Sequence, residues 1–196
     1  MSDDRQDNSE ERLRAVTVGR LAPHDAPIVL DMYDEAWPSW FHEESGELRS
    51  ILGDKVVMLE HVGSTSVPGL SAKPVIDMLL VVGDSADEQA YVAPLEAHGY
   101  VLRIREPDWH EHRLLKGPRR NINLHVFSRG CTEVRRMLLF RDWLRRNPDE
   151  RERYESAKRA LAQRHWKYVQ NYADAKSEIV EAILARASAR TRPESP

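Results

Sequence analysis

The chain has 196 residues, of which 41% are hydrophobic and 31% are charged, and its formal net charge is −3. This length and composition predict one globular domain of ordinary size. The longest uninterrupted apolar run, Met78 to Val82, is far shorter than the roughly 20 residues of a membrane-spanning helix, so no membrane partner is expected. The single cysteine, Cys131, excludes an intrachain disulfide.

The N-terminal segment is polar and acidic. Residues 1–12 carry five acidic side chains and two arginines, so this segment has a net charge of −3, the same as the whole chain. No apolar stretch follows that could form a secretory signal, so we expect a cytoplasmic protein. We predict a disordered tail over residues 1–15, a single domain over residues 16–187 and a flexible tail over residues 188–196. The pI near 6.3 does not favour dedicated nucleic-acid binding.

The first half of the domain begins with a helical pattern and continues with strands. Between Pro27 and Leu52, apolar residues recur at helical intervals, and Pro38 is expected to separate or kink two helical pieces. Residues 55–62 and 75–82 are short, apolar and β-branched, which predicts strands buried in a sheet.

The second half is expected to complete the sheet and then become helical. Residues 86–98 have a helical pattern, and three further strand candidates follow at residues 100–105, 111–116 and 121–127. After Gly130 we predict two or three helices, one of which begins at Asn147-Pro148 with asparagine at the N-cap. The predicted fold class is α/β (α+β), with a mixed β-sheet of about five strands, flanking helices and a helical C-terminal half.

The segment between the first two strand candidates carries the groups most suited to chemistry. Gly63 allows a close backbone approach to a ligand, and hydroxyl groups follow in a compact turn at Ser64, Thr65 and Ser66. Such a turn can bind a phosphate, and the ammonium group of Lys73 is suited to phosphate oxygens. Asp77 stands among apolar residues, where a carboxylate needs a partner or a metal ion. The alternative is that Asp77 only pairs with Lys73 or caps a local turn.

Two common nucleotide-binding motifs are absent. A Walker motif needs a second glycine five positions after Gly63 and a lysine beside it, but Pro68 occupies that position, and Gly69 is followed by Leu70. The pattern G-x-G-x-x-G does not occur in the chain, which disfavours a dinucleotide-binding fold.

Three motifs together resemble the GrpB family. They are HVGSTSVPGLSAKPVID at residues 61–77, NLHVF at residues 123–127, and FRDWLRRNP at residues 140–148, which Tyr154 and Lys158 follow. The resemblance covers residues 16–187 and implies a nucleotidyltransferase fold. Some members of this family are fused to dephospho-coenzyme A kinase. The resemblance implies binding of a nucleoside triphosphate or another phosphorylated small molecule, with a divalent cation, Mg²⁺ or Mn²⁺, held by Asp77.

The chain departs from the wider nucleotidyltransferase superfamily at its metal ligands. Val62-Gly63-Ser64 matches the first superfamily element and Asp77-Met78 begins the second, but Leu79 stands where a second carboxylate is usual. The strand candidate at residues 121–127, which should supply a third carboxylate, offers Asn123 and His125 instead. Both departures place two-metal catalysis in doubt.

The histidines allow several interpretations. His125 is either a metal ligand or general base near Asp77, or a hydrogen-bonded strand histidine. His61, immediately before the turn, is a weaker candidate for the site, and the alternative is that it only orients the turn. His110 and His112 could present two imidazoles on one strand face, but no third or fourth zinc ligand is evident.

The C-terminal half supplies candidate phosphate contacts. The resemblance implies that Arg141 and Lys158 reach towards nucleotide phosphates, whereas Arg141 could equally form a structural ion pair. Trp109 lies in a predicted loop and could stack on a base.

Two functions therefore remain open. The first is a nucleotide- and metal-binding protein that transfers a nucleotidyl group to an unknown acceptor, with Asp77 and His125 as catalytic residues. The second is a noncatalytic module that senses a ligand or assists a protein partner, which the loss of an acid at Leu79 favours. Phosphoester hydrolysis with one metal ion and His125 is a third possibility, which fits the same residues less well.

Overall fold

A five-stranded mixed sheet forms the centre of the protein. The structure is a computed structural model, and it describes residues 10–23 and 26–191. Each of the five strand predictions is confirmed, and each strand begins one to three residues later than expected. The strands are β1 (Met58–Val62), β2 (Ile76–Val82), β3 (Val101–Glu106), β4 (His112–Lys116) and β5 (Ile122–Ser128).

The strand order is β1-β2-β5-β4-β3. β2 and β5 run parallel, and the other neighbouring strands run antiparallel. The predicted mixed sheet with a helical C-terminal half is thereby confirmed. The helices are α1 (Glu10–Val16), α2 (Trp37–Leu52), α3 (Val92–Ala97), α4 (Thr132–Arg146), α5 (Pro148–Ala162), α6 (Val169–Asp174) and α7 (Ser177–Thr191).

The two faces of the sheet have different environments because side chains alternate along each strand. On one face, Met78 and Leu80 of β2 pack with Leu124 of β5 in the main core, to which α2 contributes Trp37 and Leu48. On the opposite face, the alternate residues of β2 and β5 face the C-terminal helices. Part of that face is apolar and packs against α4, and the rest carries the polar residues of the site.

The ends of the domain differ from the prediction. Residues 10–15, expected within a disordered tail, belong to α1, because Leu13 is buried and Thr17 forms an isolated bridge with Ile104. Residues 1–9 lie outside the described residues. At the other end α7 extends to residue 191, whereas we expected a flexible tail from residue 188, and residues 192–196 are not described.

The entry helix also differs from the prediction. Pro38 does not separate two helical pieces, because it lies in the first turn of α2, where its missing N–H costs no hydrogen bond. The preceding segment is not helical, and Asp31 forms an isolated β-bridge with Ala72. Asn147 does occupy the N-cap of α5, but its side-chain amide donates to the Trp143 carbonyl instead of capping the helix. None of the described helices is long and apolar enough to cross a membrane.

Candidate functional site

A cleft of about 900 Å³ opens on the polar part of the second sheet face. Its floor is formed by β2, β5 and β4, and one wall is formed by the turn after β1. The C-terminal helices supply the other wall through Lys158 and Tyr172, and the connection between α6 and α7 adds Lys176. Many of the predicted functional residues meet in this cleft.

Gly63 brings the turn after β1 against Asp77. Its backbone has φ +69°, in the left-handed region that favours glycine. A Cβ at this position would lie 2.2 Å from Asp77 Oδ2, closer than any real contact. Glycine is therefore required here by both the backbone conformation and the neighbouring carboxylate.

The turn is held by its own hydroxyl groups. Ser66 Oγ donates to the Gly63 carbonyl at 2.6 Å, and Thr65 Oγ1 donates to the Val75 carbonyl at 3.0 Å. His61 Nε2 lies 3.0 Å from Thr65 Oγ1. Because the Thr65 proton is already donated, His61 Nε2 must be the donor. Burial lowers the pKa of His61 to about 4, so a neutral His61 positions the turn.

Asp77 belongs to a polar row that crosses three strands. The register places Asp77 beside Asn123, and Asn123 beside Lys116. Asn123 Nδ2 donates to Asp77 Oδ1 at 2.8 Å, and Lys116 Nζ donates to Asn123 Oδ1 at 2.7 Å. Burial favours the neutral carboxyl, but interaction with His125 in its protonated form, with Asn123 and with Lys176 outweighs it and lowers the pKa of Asp77. Asp77 is therefore ionised at neutral pH.

A second row consists of imidazoles. His125 Nε2 lies 3.7 Å from Asp77 Oδ1. On the other side of its ring, His125 Nδ1 lies 3.1 Å from His112 Nε2, and His112 Nδ1 lies 2.7 Å from Glu106 Oε2. The row therefore connects Asp77 to Glu106 across four strands.

Four lysines line the cleft: Lys73, Lys116, Lys158 and Lys176. Lys158 is almost fully buried, and its ammonium group donates to Ser64 Oγ at 3.1 Å and to the Ser71 carbonyl. Burial lowers the pKa of each of the four, and that of Lys158 reaches about 7.

Most predicted site residues lie together. Those that line the cleft are Gly63, Ser64, Thr65, Lys73, Asp77, His125 and Lys158, and Trp109 lines it as well. Ser66 does not, because its hydroxyl holds the turn and its carbonyl accepts from Arg145 at 2.7 Å.

Arg141 does not line the cleft either. Its guanidinium donates to Glu60 Oε2 at 2.7 Å, to the His61 carbonyl at 3.0 Å and to Asp142 Oδ1 at 2.8 Å. The structure therefore corresponds to the alternative of a structural ion pair, which joins α4 to β1.

Sequence reasoning missed several residues of the site. Lys116 reaches Asp77 only through the pairing of β4 with β5, and Lys176 lies far along the chain on a connection between two helices. Glu106 lines the cleft at the end of β3 and lies within hydrogen-bond distance of His112. No motif in the sequence marks these residues.

The residues present do not fit a two-metal centre. Leu79, where the resemblance would imply a second carboxylate, is fully buried in the apolar cluster with Val62 and Phe127. β5, from which the resemblance would imply a third carboxylate, offers Asn123 and His125 instead. Within residues 10–23 and 26–191, no group of three or more His, Cys, Asp or Glu side chains could hold a metal ion.

The zinc alternative finds no support either. His110 lies in a turn with φ +53°, outside β4, and both ring nitrogens of His112 already lie within hydrogen-bond distance of Glu106 and His125.

Comparison with known proteins agrees with this fold. The family model described as GrpB protein matches residues 27–186. The UPF0157 protein BH1888 of Halalkalibacterium halodurans is 60% identical over 181 residues, which cover 92% of this chain and 93% of that protein. The crystal structure of conserved protein GrpB from Enterococcus faecalis has a TM-score of 0.69 and 33% identity, and the match covers 81% of this chain and 98% of that one.

Another relative is a longer protein, and this chain matches only part of it. A dephospho-CoA kinase of Mycolicibacterium paratuberculosis is 31% identical over 165 residues, which cover 71% of this chain but 40% of the kinase.

Proposed function

The chain belongs to the GrpB family, and on that premise we propose that it binds a nucleoside triphosphate, or another phosphorylated small molecule, in the cleft around Asp77. The observation that carries the proposal is the group of four lysines that line this cleft. Polyphosphate is the common biological ligand that carries several negative charges in a small volume, and ammonium groups bind it as point charges.

The electrostatics of the lysines support an anionic ligand. Burial disfavours each ammonium group, and the lysines also oppose one another: Lys176 lowers the pKa of Lys73 and of Lys158, and Lys73 lowers that of Lys116. An anion bound among these groups would favour their charged forms. Ligand binding would thus reduce the free-energy cost of holding these ammonium groups buried and close to one another.

The turn after β1 supports the same ligand class. Gly63 keeps side-chain atoms away from the backbone beside Asp77, and the hydroxyl of Ser64 lines the cleft next to Lys158. A turn of this kind offers hydrogen-bond donors to phosphate oxygens. Phosphate would then lie between the turn and the lysines.

The proposal separates binding from metal-dependent nucleotidyl transfer. Leu79 and Asn123 occupy positions that would need carboxylates to hold two cations, so the lysines are assigned the role of neutralising phosphate. A noncatalytic module that senses the ligand or assists a protein partner needs only this pocket, and Leu79 is the observation that favours it. A divalent cation at Asp77 is tested directly by the experiment below.

Thermal unfolding tests the proposal. The purified chain is heated with ATP, GTP, CTP, UTP or inorganic triphosphate, each with Mg²⁺, with Mn²⁺ or with a chelator. A ligand at about 100 times its Kd adds about 2.7 kcal/mol to stability, which raises Tm by about 5 to 10 °C for a domain of this size. We expect the shift to persist with chelator. A shift that needs metal and disappears in Asp77→Ala would instead support a cation held by Asp77.

A matched pair of lysine variants locates the binding. Lys176→Gln removes a cleft charge, whereas Lys55→Gln removes an exposed one in the short 3₁₀ turn Gly53–Lys55. We expect Lys176→Gln to lose most of the shift and Lys55→Gln to retain it. No shift with any triphosphate, or equal shifts in the two variants, would contradict the proposal.

A further inference from the structure

Four side chains form a continuous chain of polar contacts across the cleft floor. They come from neighbouring strands in the order Glu106, His112, His125 and Asp77, and the heavy-atom distances between them are 2.7, 3.1 and 3.7 Å. The first two distances are those of hydrogen bonds, whereas the third, between His125 and Asp77, is too long for a hydrogen bond.

The direction of the hydrogen bonds follows from the carboxylate at one end. An ionised Glu106 can only accept, so Nδ1 of His112 carries the proton. In a neutral imidazole the other nitrogen then accepts, so His112 Nε2 receives its hydrogen bond from Nδ1 of His125. This leaves Nε2 of His125 without a proton, facing Asp77 Oδ1 at 3.7 Å.

The rings have little freedom to change this arrangement. His112 is buried, and its ring packs against Phe127 at 4.8 Å and against Trp109 at 5.5 Å between centroids. The rings of His112 and His125 are inclined by only 19°. The packing therefore keeps both imidazoles in the orientation that the hydrogen bonds require.

We infer that Glu106 and His112 are positioning residues that hold the lone pair of His125 Nε2 open to the cleft, so that His125 accepts the proton of a hydroxyl group bound beside the phosphate. Two acceptors that face each other at 3.7 Å leave a place for one shared proton donor. The inference rests on the proposed function for the phosphate, and it adds a hydroxyl-bearing acceptor molecule, or water, as the second reactant.

The proton transfer is balanced by groups of this chain. As the hydroxyl oxygen bonds to phosphorus with its own electron pair, its proton moves to His125 Nε2. The bond from phosphorus to the leaving phosphate breaks, and its electrons leave with that anion. The imidazolium that results lies beside the Asp77 carboxylate, which stabilises it, and it later releases the proton to solvent.

Tautomers can be measured without any ligand. In ¹⁵N-labelled protein, long-range ¹H–¹⁵N spectra distinguish which nitrogen of a neutral imidazole carries the proton. We expect Nδ1–H for His112 and His125, and Nε2–H for His61, whose donor role was derived above. The spectrum of wild-type protein alone overturns the inference if His125 carries its proton on Nε2.

Two variants of one residue separate positioning from simple packing. Glu106→Gln retains a carbonyl oxygen that accepts from His112 Nδ1, so we expect it to preserve both tautomers. Glu106→Ala removes the acceptor, and we expect His125 to shift at least in part to Nε2–H. Unchanged tautomers in Glu106→Ala would overturn the positioning role.

The role as proton acceptor is measured with water as the hydroxyl donor. Release of phosphate from ATP and from inorganic triphosphate is compared in wild type, Glu106→Gln and His125→Gln. General bases contribute about 10² to 10⁴ in rate, so we expect at least a 100-fold loss in His125→Gln and most of the rate retained in Glu106→Gln. Equal rates in wild type and His125→Gln, including no release by either, would overturn this role. If no triphosphate raises Tm but the tautomers are as expected, the proposed ligand is contradicted, whereas the positioning of His125 by Glu106 and His112 is not.

Discussion

Gly63 has no side chain, which allows the turn after β1 to lie against Asp77. Gly63→Ala should be strongly destabilising, because the new Cβ would lie 2.2 Å from Asp77 Oδ2 and the backbone has φ +69°. Gly69→Ala is the matched control, since Gly69 has φ +76° in the same loop but no atom within 4 Å of an added Cβ. Both variants carry the backbone strain, and only the first carries the clash.

Urea unfolding gives the free energy of unfolding of each variant, and the difference between the two variants measures the clash with Asp77 alone. We expect Gly63→Ala to lose about 1 to 3 kcal/mol more than Gly69→Ala, the usual cost of an inserted methyl group in a packed site. Equal losses would mean that the turn moves away from Asp77 without cost.

A residue of the cleft could be predicted from the sequence where it belongs to a short, distinctive motif. The turn at Gly63 and Asp77 could be found because both lie in a stretch whose residue types have few other uses together, whereas Lys158 was named only because the resemblance implied it. Lys116, Lys176 and Glu106 could not be found, because their place in the cleft depends on strand register and helix packing. For Arg141 the residue type fitted two roles, and only its contact with Glu60 on β1 distinguishes them.

At the scale of elements, Arg141 joins α4 to the sheet. Its buried guanidinium contacts Glu60 and the backbone of His61, and Glu60 is partly exposed. Arg141→Met should therefore lower the free energy of unfolding by about 1.5 to 3 kcal/mol, the range for a hydrogen bond to a charged group.

Ligand binding provides the second readout for Arg141. We expect the triphosphate-induced rise in Tm to be as large in Arg141→Met as in wild type, although both melting curves start lower. Loss of the rise with an unchanged starting Tm would restore Arg141 to the phosphate site.

The elements were predictable to different degrees for physical reasons. All five strands were predicted, since buried strands are short runs of β-branched and apolar residues between turns. α1 was not predicted, because its stability comes from burying Leu13 against the domain and not from its polar sequence. The prediction that Pro38 separates or kinks two helical pieces was wrong, because Pro38 lies in the first turn of α2 and the segment before it is not helical.

For the whole molecule, a small net charge conceals an uneven distribution of charge. The net charge of −3 gives no indication of cation binding or anion binding, yet one cleft holds four lysines whose pKa values are all lowered. Composition averages over the surface, so it cannot report such a group. The stability of the free protein should report it through its pH dependence.

Lys158 sets the sign of that dependence. Burial lowers its pKa from 10.5 to about 7 in the folded protein. Below pH 7 both folded and unfolded chains hold the proton, so the full cost of burying the charge is present. Between pH 7 and 10.5 only the unfolded chain keeps the proton, so the free energy of unfolding rises with pH.

Other ionisable groups, both in the cleft and outside it, define the pH window for the measurement. The lowered pKa values of Lys73, Lys116 and Lys176 act in the same direction as that of Lys158. Above pH 10 the tyrosines act in the opposite direction, because burial raises the pKa of Tyr154 and of Tyr172 to about 12 and raises those of Tyr91 and Tyr100 as well. The rise should therefore be measured from pH 7 to 9.5.

Urea unfolding at pH 7, 8 and 9, with reductant present to keep Cys131 reduced, tests this expectation. One group contributes at most about 1.4 kcal/mol for each pH unit, and the share of Lys158 should approach that limit above about pH 8, where the folded protein has lost the proton that the unfolded chain keeps. In Lys158→Met the rise should be smaller by that share. An equal rise in both proteins would show that Lys158 remains charged in the fold. Saturating triphosphate should reduce the slope in wild type, because a bound anion returns the proton to the folded state.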